Sequence, residues 1–176
     1  MSKLNHSDLV KIAQKWLRRD SVVVVTEMSI AYGEGEIPDA IGWDYGGWST
    51  LIECKATRAD FLGDKKKKCR QENSMGNKRY YLAPEGLIKT EELPKGWGLL
   101  EATDKRQRPR TVLFSSKKVN INQGREILLL ISCLRRIGGL REGISVKCYQ
   151  WDSKNRATLG ILRDAEKENR DKNTYR

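Results

Sequence analysis

Two runs rich in β-branched and aromatic residues, Glu36 to Trp43 and Trp48 to Lys55, flank the segment Asp44-Tyr45-Gly46-Gly47, and this pairing constrains the chain more than any other feature. Glycines supply the positive φ that tight turns demand, so the runs read as the two arms of a β-hairpin. Centring the hairpin on Gly46 pairs positions equidistant from it, which sets Asp39 opposite Glu53. A bulge at the Gly-Gly turn would shift this register by one residue and turn the side chains to the other face.

The flanking segments supply the layers on either side. His6 to Arg19 places Leu9, Ile12, Ala13, Trp16 and Leu17 on one helical face, with Ser7 as a candidate cap. Val22 to Met28 is a β-branched run of the length and composition of a buried strand, and it carries Glu27 in an apolar context. Ala59 to Glu72 reads as a helix with a basic middle, closed by Asn73 to Asn77; Lys78 to Ala83 and Trp97 to Ala102 read as strands. The order helix, three strands, helix, two strands predicts an α/β architecture. Its central sheet is mixed and flanked by helices, because the hairpin is antiparallel while a strand–helix–strand passage permits a parallel crossover.

At 176 residues the chain has the length of a single domain with a core of its own. The core is expected in 1–102, an extension packed on it in 103–160, and a charged, frayed tail in 161–176. Within the extension, Asp104 to Arg110 reads as a charged linker and Arg125 to Ile137 as an apolar helix. Four cysteines, Cys54, Cys69, Cys133 and Cys148, form no Cys-x-x-Cys, and His6 is the only histidine, so a zinc cage or disulfide framework is not expected. No apolar run approaches the ~18–20 residues of a membrane span. The N-terminus lacks the apolar core of a secretory signal, and the expected compartment is the cytoplasm of a bacterium or of a phage-infected host.

The chemistry concentrates in Pro38-Asp39 and Glu53-Cys54-Lys55. Side chains alternate along a strand, so Glu53 and Lys55 share a face while Cys54 points to the other. Opposed residues on paired strands have β-carbons ~4.5–5.5 Å apart, close enough for the Asp39 and Glu53 carboxylates to hold one cation. Two like charges at that separation need a positive partner, and hard oxygen donors suit Mg²⁺ or Mn²⁺. Pro38 fixes the approach of the chain to Asp39. Lys55 is placed to orient a water and neutralise developing charge, which together describe phosphodiester hydrolysis.

Lysine and arginine number 34 against 23 acidic residues, a net +11 that attracts a polyanion. DNA is the expected partner, contacted along the basic stretch Lys65, Lys66, Lys67, Lys68, Arg70, Gln71, Lys78 and Arg79; a homodimer is compatible with the sequence, and no membrane is expected. His6 reads as a surface or capping residue, Asp60 and Asp64 as partners of the lysines that follow them, and Trp43, Trp48, Tyr80 and Tyr81 as core, with stacking on unpaired bases as the alternative. No Gly-x-x-x-x-Gly-Lys phosphate cradle occurs.

Pro38-Asp39, a gap, and Glu53-x-Lys55 resemble the PD-(D/E)xK nuclease superfamily. The resemblance extends through the order of elements up to Ala83. It is nearest to phage-encoded and MmcB-like DNA-repair members in Arg58 to Lys65 and Met75 to Lys89. It implies a restriction-endonuclease-like αβββαβ core and a Mg²⁺- or Mn²⁺-dependent deoxyribonuclease. The metal would be held by Asp39, Glu53 and the backbone carbonyl of Cys54, with Lys55 as the activating cation. Family members add one more acid, for which Asp8, Glu27 and Glu36 are the candidates, and Arg70 or Gln71 matches a helper position on the following helix. The alternative is a phage factor that binds nucleic acid on a nuclease scaffold without turnover.

Overall fold

The computed structural model describes residues 4–28, 37–65, 67, 74–103, 108–118 and 120–137. The chain divides into two compact units, 1–126 and 127–176, and the sheet lies wholly in the first. Its elements are α1 (His6–Leu17), β1 (Val23–Thr26), β2 (Ala40–Trp43), β3 (Ser49–Cys54), α2 (Arg58–Lys65), β4 (Lys78–Pro84), β5 (Gly98–Ala102) and β6 (Arg110–Leu113). Helix α3 (Gln123–Ile137) begins in the first unit and continues into the second.

The sheet is six-stranded in the order β1-β2-β3-β4-β5-β6. β1–β2 and β2–β3 are antiparallel, β3–β4 and β4–β5 parallel, and β5–β6 antiparallel, so the mixed α/β architecture expected from the element order is present. The hairpin register is the one centred on Gly46: Ala40 pairs with Ile52 and Trp43 with Ser49. No bulge shifts it, because Asp44 Oδ1 accepts from the backbone N–H groups of Gly46 and Trp48, both at 2.9 Å, and Gly47 takes the left-handed φ of 75° that closes the turn.

The pleat sorts the strands into two faces. Ala40, Ile52, Cys54, Tyr80, Leu82, Leu100 and Ala102 pack with Leu9, Val10, Ala13 and Leu17 of α1. The opposite face carries Ile41, Leu51, Glu53 and Tyr81, where Phe61 meets Tyr81 edge-on at 5.2 Å and Trp97 stacks on Tyr81 at 4.5 Å. Arg58, the first residue of α2, anchors that helix by pairing with Glu92 and donating to the Leu87 carbonyl.

Several expectations are corrected. The cap of α1 is Asn5, not Ser7: its side chain accepts from Asp8 N–H while the Asp8 carboxylate accepts from Asn5 N–H, so both orphan donors are satisfied reciprocally. Of the charged linker expected over Asp104 to Arg110, residues 104–107 lie outside the described residues, and Arg110 opens strand β6, short and solvent-facing, which carries no apolar alternation to announce it. The apolar set of α3 is split: Leu129 is buried, whereas Ile127, Leu128, Ile131 and Leu134 are exposed. The basic helix is described only through Lys65 and at Lys67; its remainder to Glu72 lies outside the described residues. Among the described residues no helix is long and apolar enough to cross a membrane.

At the turn end of the hairpin, Glu126 ties the sheet together. Its buried carboxylate accepts from Trp43 Nε1, Ser49 Oγ and Gly76 N–H, each at 2.8 Å. Gly76 approaches so closely, at a φ of 88°, that a β-carbon there would lie 2.7 Å from Leu51 Cβ. Buried donors left without an acceptor are costly, so Glu126→Ala is expected to lower unfolding free energy by about 3 kcal/mol in urea titrations. An unchanged midpoint would contradict this role for the carboxylate.

Candidate active site at the β2–β3 hairpin

Asp39 stands one residue before β2, where the hairpin register sets it against Glu53. Its position is fixed twice: Asp39 Oδ2 accepts from Cys54 N–H at 2.7 Å, and the Asp39 carbonyl accepts from Glu27 N–H at 3.1 Å. Glu53, in the last turn of the pleat on β3, is only 2% exposed. Lys55 follows on the same face and is also buried, and its backbone N–H donates to the Leu82 carbonyl of β4 at 2.9 Å.

The side chains of Asp39, Glu53 and Lys55 therefore converge. Lys55 Nζ lies 3.2 Å from Glu53 Oε2 and 4.0 Å from Asp39 Oδ2, so the two carboxylate oxygens are separated by no more than the sum of those distances. A third acid joins them. Asp64 of α2, itself buried, places Oδ1 3.2 Å from Lys55 Nζ and 2.9 Å from Lys67 Nζ, while Oδ2 accepts from Tyr81 O–H at 3.0 Å. Burial pulls the Lys55 ammonium down, but Glu53, Asp64 and Asp39 together outweigh it and hold the group above the ordinary lysine range. Lys55 is thus a fixed cation at neutral pH. Because its folded value is raised, its contribution to stability is complete at and below neutral pH and is lost only as pH climbs past that raised value.

A second group of side chains meets Asp39 from the solvent side. His6, the first residue of α1, places Nε2 3.4 Å from Glu27 Oε1 and 3.7 Å from Asp39 Oδ1. Glu27 holds a φ of 48° directly after β1, a conformation unusual for a side-chain-bearing residue, and this turns the chain at the edge of the site. Of the acids considered for the additional position, Glu27 is at the site and Glu36 lies outside the described residues. Asp8 is engaged in the helix cap.

Cys54 points away from the carboxylates into the core beneath α1, as its position between Glu53 and Lys55 requires. Burial, with Asp39 and Glu53 adding to it, pushes its thiol well up, so it remains a neutral filler. Of the basic stretch from Lys65 to Arg79, Lys67, Lys78 and Arg79 have described side chains, and these three do not share one setting. Arg79 is 5% exposed, sits 5.0 Å over the Trp97 ring and donates to Ser74 Oγ, so it is a packing residue and is withdrawn from the set facing a polyanion. Lys78 is exposed, but it pairs with Thr50 at the far end of β3 from Glu53. Lys67 is exposed and bound to Asp64; Lys65 is in α2; Lys66, Lys68, Arg70 and Gln71 lie outside the described residues.

Sequence reasoning missed His6 and Asp64. In sequence Asp64 reads as a partner of the lysines that follow it, and it does pair with Lys67; its contact with Lys55 depends on α2 crossing the sheet face, which no local spacing encodes. The clue for His6 is its place at the start of an amphipathic helix whose buried face packs on Ala40 and Cys54, the chain neighbours of Asp39 and Glu53.

Among the described residues no three histidine, cysteine or acidic side chains are gathered as a preformed metal cage. The oxygen donors brought together for a metal are the Asp39 and Glu53 carboxylates, each with an oxygen within 4.0 Å of Lys55 Nζ. That set fits Mg²⁺, which is commonly held by one or two carboxylates together with water and substrate phosphate and not by a complete protein cage.

A structural search finds SPO1766, a protein of unknown function from Silicibacter pomeroyi, to be similar, with a TM-score of 0.58 and 25% identity, covering 83% of this chain and 99% of that one. No family model and no curated protein matches the chain. The mixed α/β fold is thus shared with a protein whose activity is itself unknown.

Removing the central cation would leave buried carboxylates uncompensated. Lys55→Met is expected to cost about 3–5 kcal/mol at neutral pH in the absence of divalent ions. Stability of the variant equal to that of the parent would contradict this account.

Proposed function

We propose that the protein is a metal-dependent deoxyribonuclease of the PD-(D/E)xK type, with a restriction-endonuclease-like core, that hydrolyses phosphodiester bonds by attack of an activated water. The observation that carries the reading is the convergence of Asp39 and Glu53 on Lys55 at the end of an antiparallel hairpin, beside a parallel crossover through α2. The element order, the mixed sheet and the net positive charge support it.

Asp39 and Glu53, with the Cys54 carbonyl, would hold a divalent ion. When bound, such an ion supplies Lewis acidity to the scissile phosphate and its attacking water. The protein's own groups do the rest. Glu53 is buried and cannot swing into solvent, so its carboxylate presents a fixed negative charge to the reaction centre. Lys55, kept protonated by three acids, acts as a fixed positive charge toward a phosphate oxygen and not as a proton acceptor. Asp64, which accepts from the Tyr81 hydroxyl, pairs with that ammonium and holds it in place. His6, half exposed, lies within reach of both the Asp39 and Glu27 carboxylates and links the two acids at the solvent side of the site.

Removing an oxygen donor from such a site typically costs several orders of magnitude in rate, whereas uniform phosphate contacts survive. Asp39→Asn and Glu53→Gln are therefore expected to lower Mg²⁺-dependent cleavage of plasmid and single-stranded DNA at least about a thousandfold. Both variants should remain folded at the assay temperature by circular dichroism, and their DNA affinity in EDTA should stay near that of the parent. Cleavage retained by both variants, with contaminating nuclease excluded, would overturn the assignment. Binding without cleavage by the parent would favour the non-catalytic nucleic-acid factor instead.

A further inference from the structure

We infer that the turn end of the sheet, opposite the carboxylates, is a stacking platform for an unpaired nucleic-acid strand, formed by Tyr45, Trp48 and Phe114 with Lys78 and Lys117. The inference deepens the proposed activity by naming the strand form the protein engages, and it rests on that reading for its relevance to catalysis.

The fold buries Trp43, Tyr80, Tyr81 and Trp97 and leaves these three aromatic rings out. Tyr45 is 96% exposed, Phe114 77% and Trp48 40%. They stand on fixed backbone. Tyr45 and Trp48 belong to the turn locked by Asp44, whose Oδ1 is committed to two backbone N–H groups. The segment from Phe114 to Lys118 is tied to residues at the starts of β4 and β5. Ser116 N–H donates to the Gly96 carbonyl at 3.1 Å, Arg79 N–H to Ser115 Oγ at 2.9 Å, and Lys118 N–H to the Asn77 carbonyl at 2.7 Å. Exposed aromatics on rigid backbone lose little freedom when a flat partner stacks on them, so the entropy cost of binding there is low.

The charge beside the rings selects the partner. Lys117 Nζ lies 3.1 Å from the centroid of the Trp48 ring, and Lys78 stands exposed at the start of β4 nearby, where it pairs with Thr50. A π surface with a cation on it matches the alternation of base and phosphate along a single strand, whereas a duplex hides its base faces. β3 begins at this end and reaches Glu53 four residues later, roughly 13 Å away at ~3.3 Å per residue. A strand stacked here would therefore lie within a few nucleotides of the carboxylates. Exposed aromatics with lysines also suit an anionic lipid surface, and the experiment separates the two.

Binding is read by fluorescence anisotropy in EDTA, so that no cleavage intervenes, using labelled oligothymidylate of about twelve nucleotides and a duplex of equal length. Sedimentation with phosphatidylserine vesicles runs alongside. Tyr45→Ser and Phe114→Ser, both at solvent-facing positions, are each expected to weaken oligothymidylate binding roughly tenfold while duplex binding changes less than about twofold. Lys117→Gln should lower the slope of affinity against salt concentration by about one ion. Parental oligothymidylate affinity in the Tyr45→Ser and Phe114→Ser double variant would overturn the inference. So would a parallel fall in duplex binding, or vesicle binding that these substitutions abolish while leaving oligothymidylate binding intact. Stacking-dependent binding by a parent protein that never cleaves would defeat the proposed nuclease activity alone; cleavage with no effect of the aromatic substitutions on binding would defeat this inference alone.

Discussion

Lys55 Nζ lies 3.2 Å from both Glu53 Oε2 and Asp64 Oδ1, all three groups are buried, and Asp39 approaches the same ammonium from across the hairpin. Acids packed this closely away from water would repel one another and take up protons unless a cation stood among them. The ammonium makes the arrangement tolerable, and its position is set by the sheet: β3 delivers Glu53 and Lys55 to one face, and the Lys55 backbone is clamped to β4. The chemistry of the site and the packing of this end of the protein are therefore the same set of interactions. A divalent ion, entering between Asp39 and Glu53, would relieve the same repulsion.

The two ends of the hairpin do different work. At the turn end, Glu126 collects three neutral donors and fixes the start of β3 against the loop around Gly76, which is stabilising and chemically inert. At the other end, the strands carry charge into the interior, where any fault in register would separate the acids. Rigidity at the first end underwrites geometry at the second, since a slip of one residue at the turn would send Asp39 and Glu53 to opposite faces. The exposed aromatic rings lie at the inert end, on backbone the same hydrogen bonds hold still.

Local pattern made the hairpin legible. The glycines of the turn, with Asp44 to lock it, placed the register on Gly46, and strand alternation then required Glu53 and Lys55 on one side with Cys54 on the other. The mixed sheet followed from element order. What local pattern could not supply were contacts made across layers. Asp64 meets Lys55 only because α2 crosses the sheet face; His6 meets Glu27 and Asp39 only because the start of α1 overhangs the edge of β1. Arg79 read as one more cation of a basic run, yet the alternation of β4 turns it inward onto Trp97, and only the fold of the neighbouring loop reveals that. β6 escaped notice because an edge strand facing solvent needs no apolar face.

The central claim is that Asp39 and Glu53 share a divalent ion. Crystals grown with Mn²⁺ and measured at the manganese absorption edge test it most directly. The account predicts an anomalous peak bridging the two carboxylates at ~2.0–2.3 Å from an oxygen of each. Crystals that take up manganese elsewhere, with the Lys55 contacts undisturbed and no density between those acids, would contradict it.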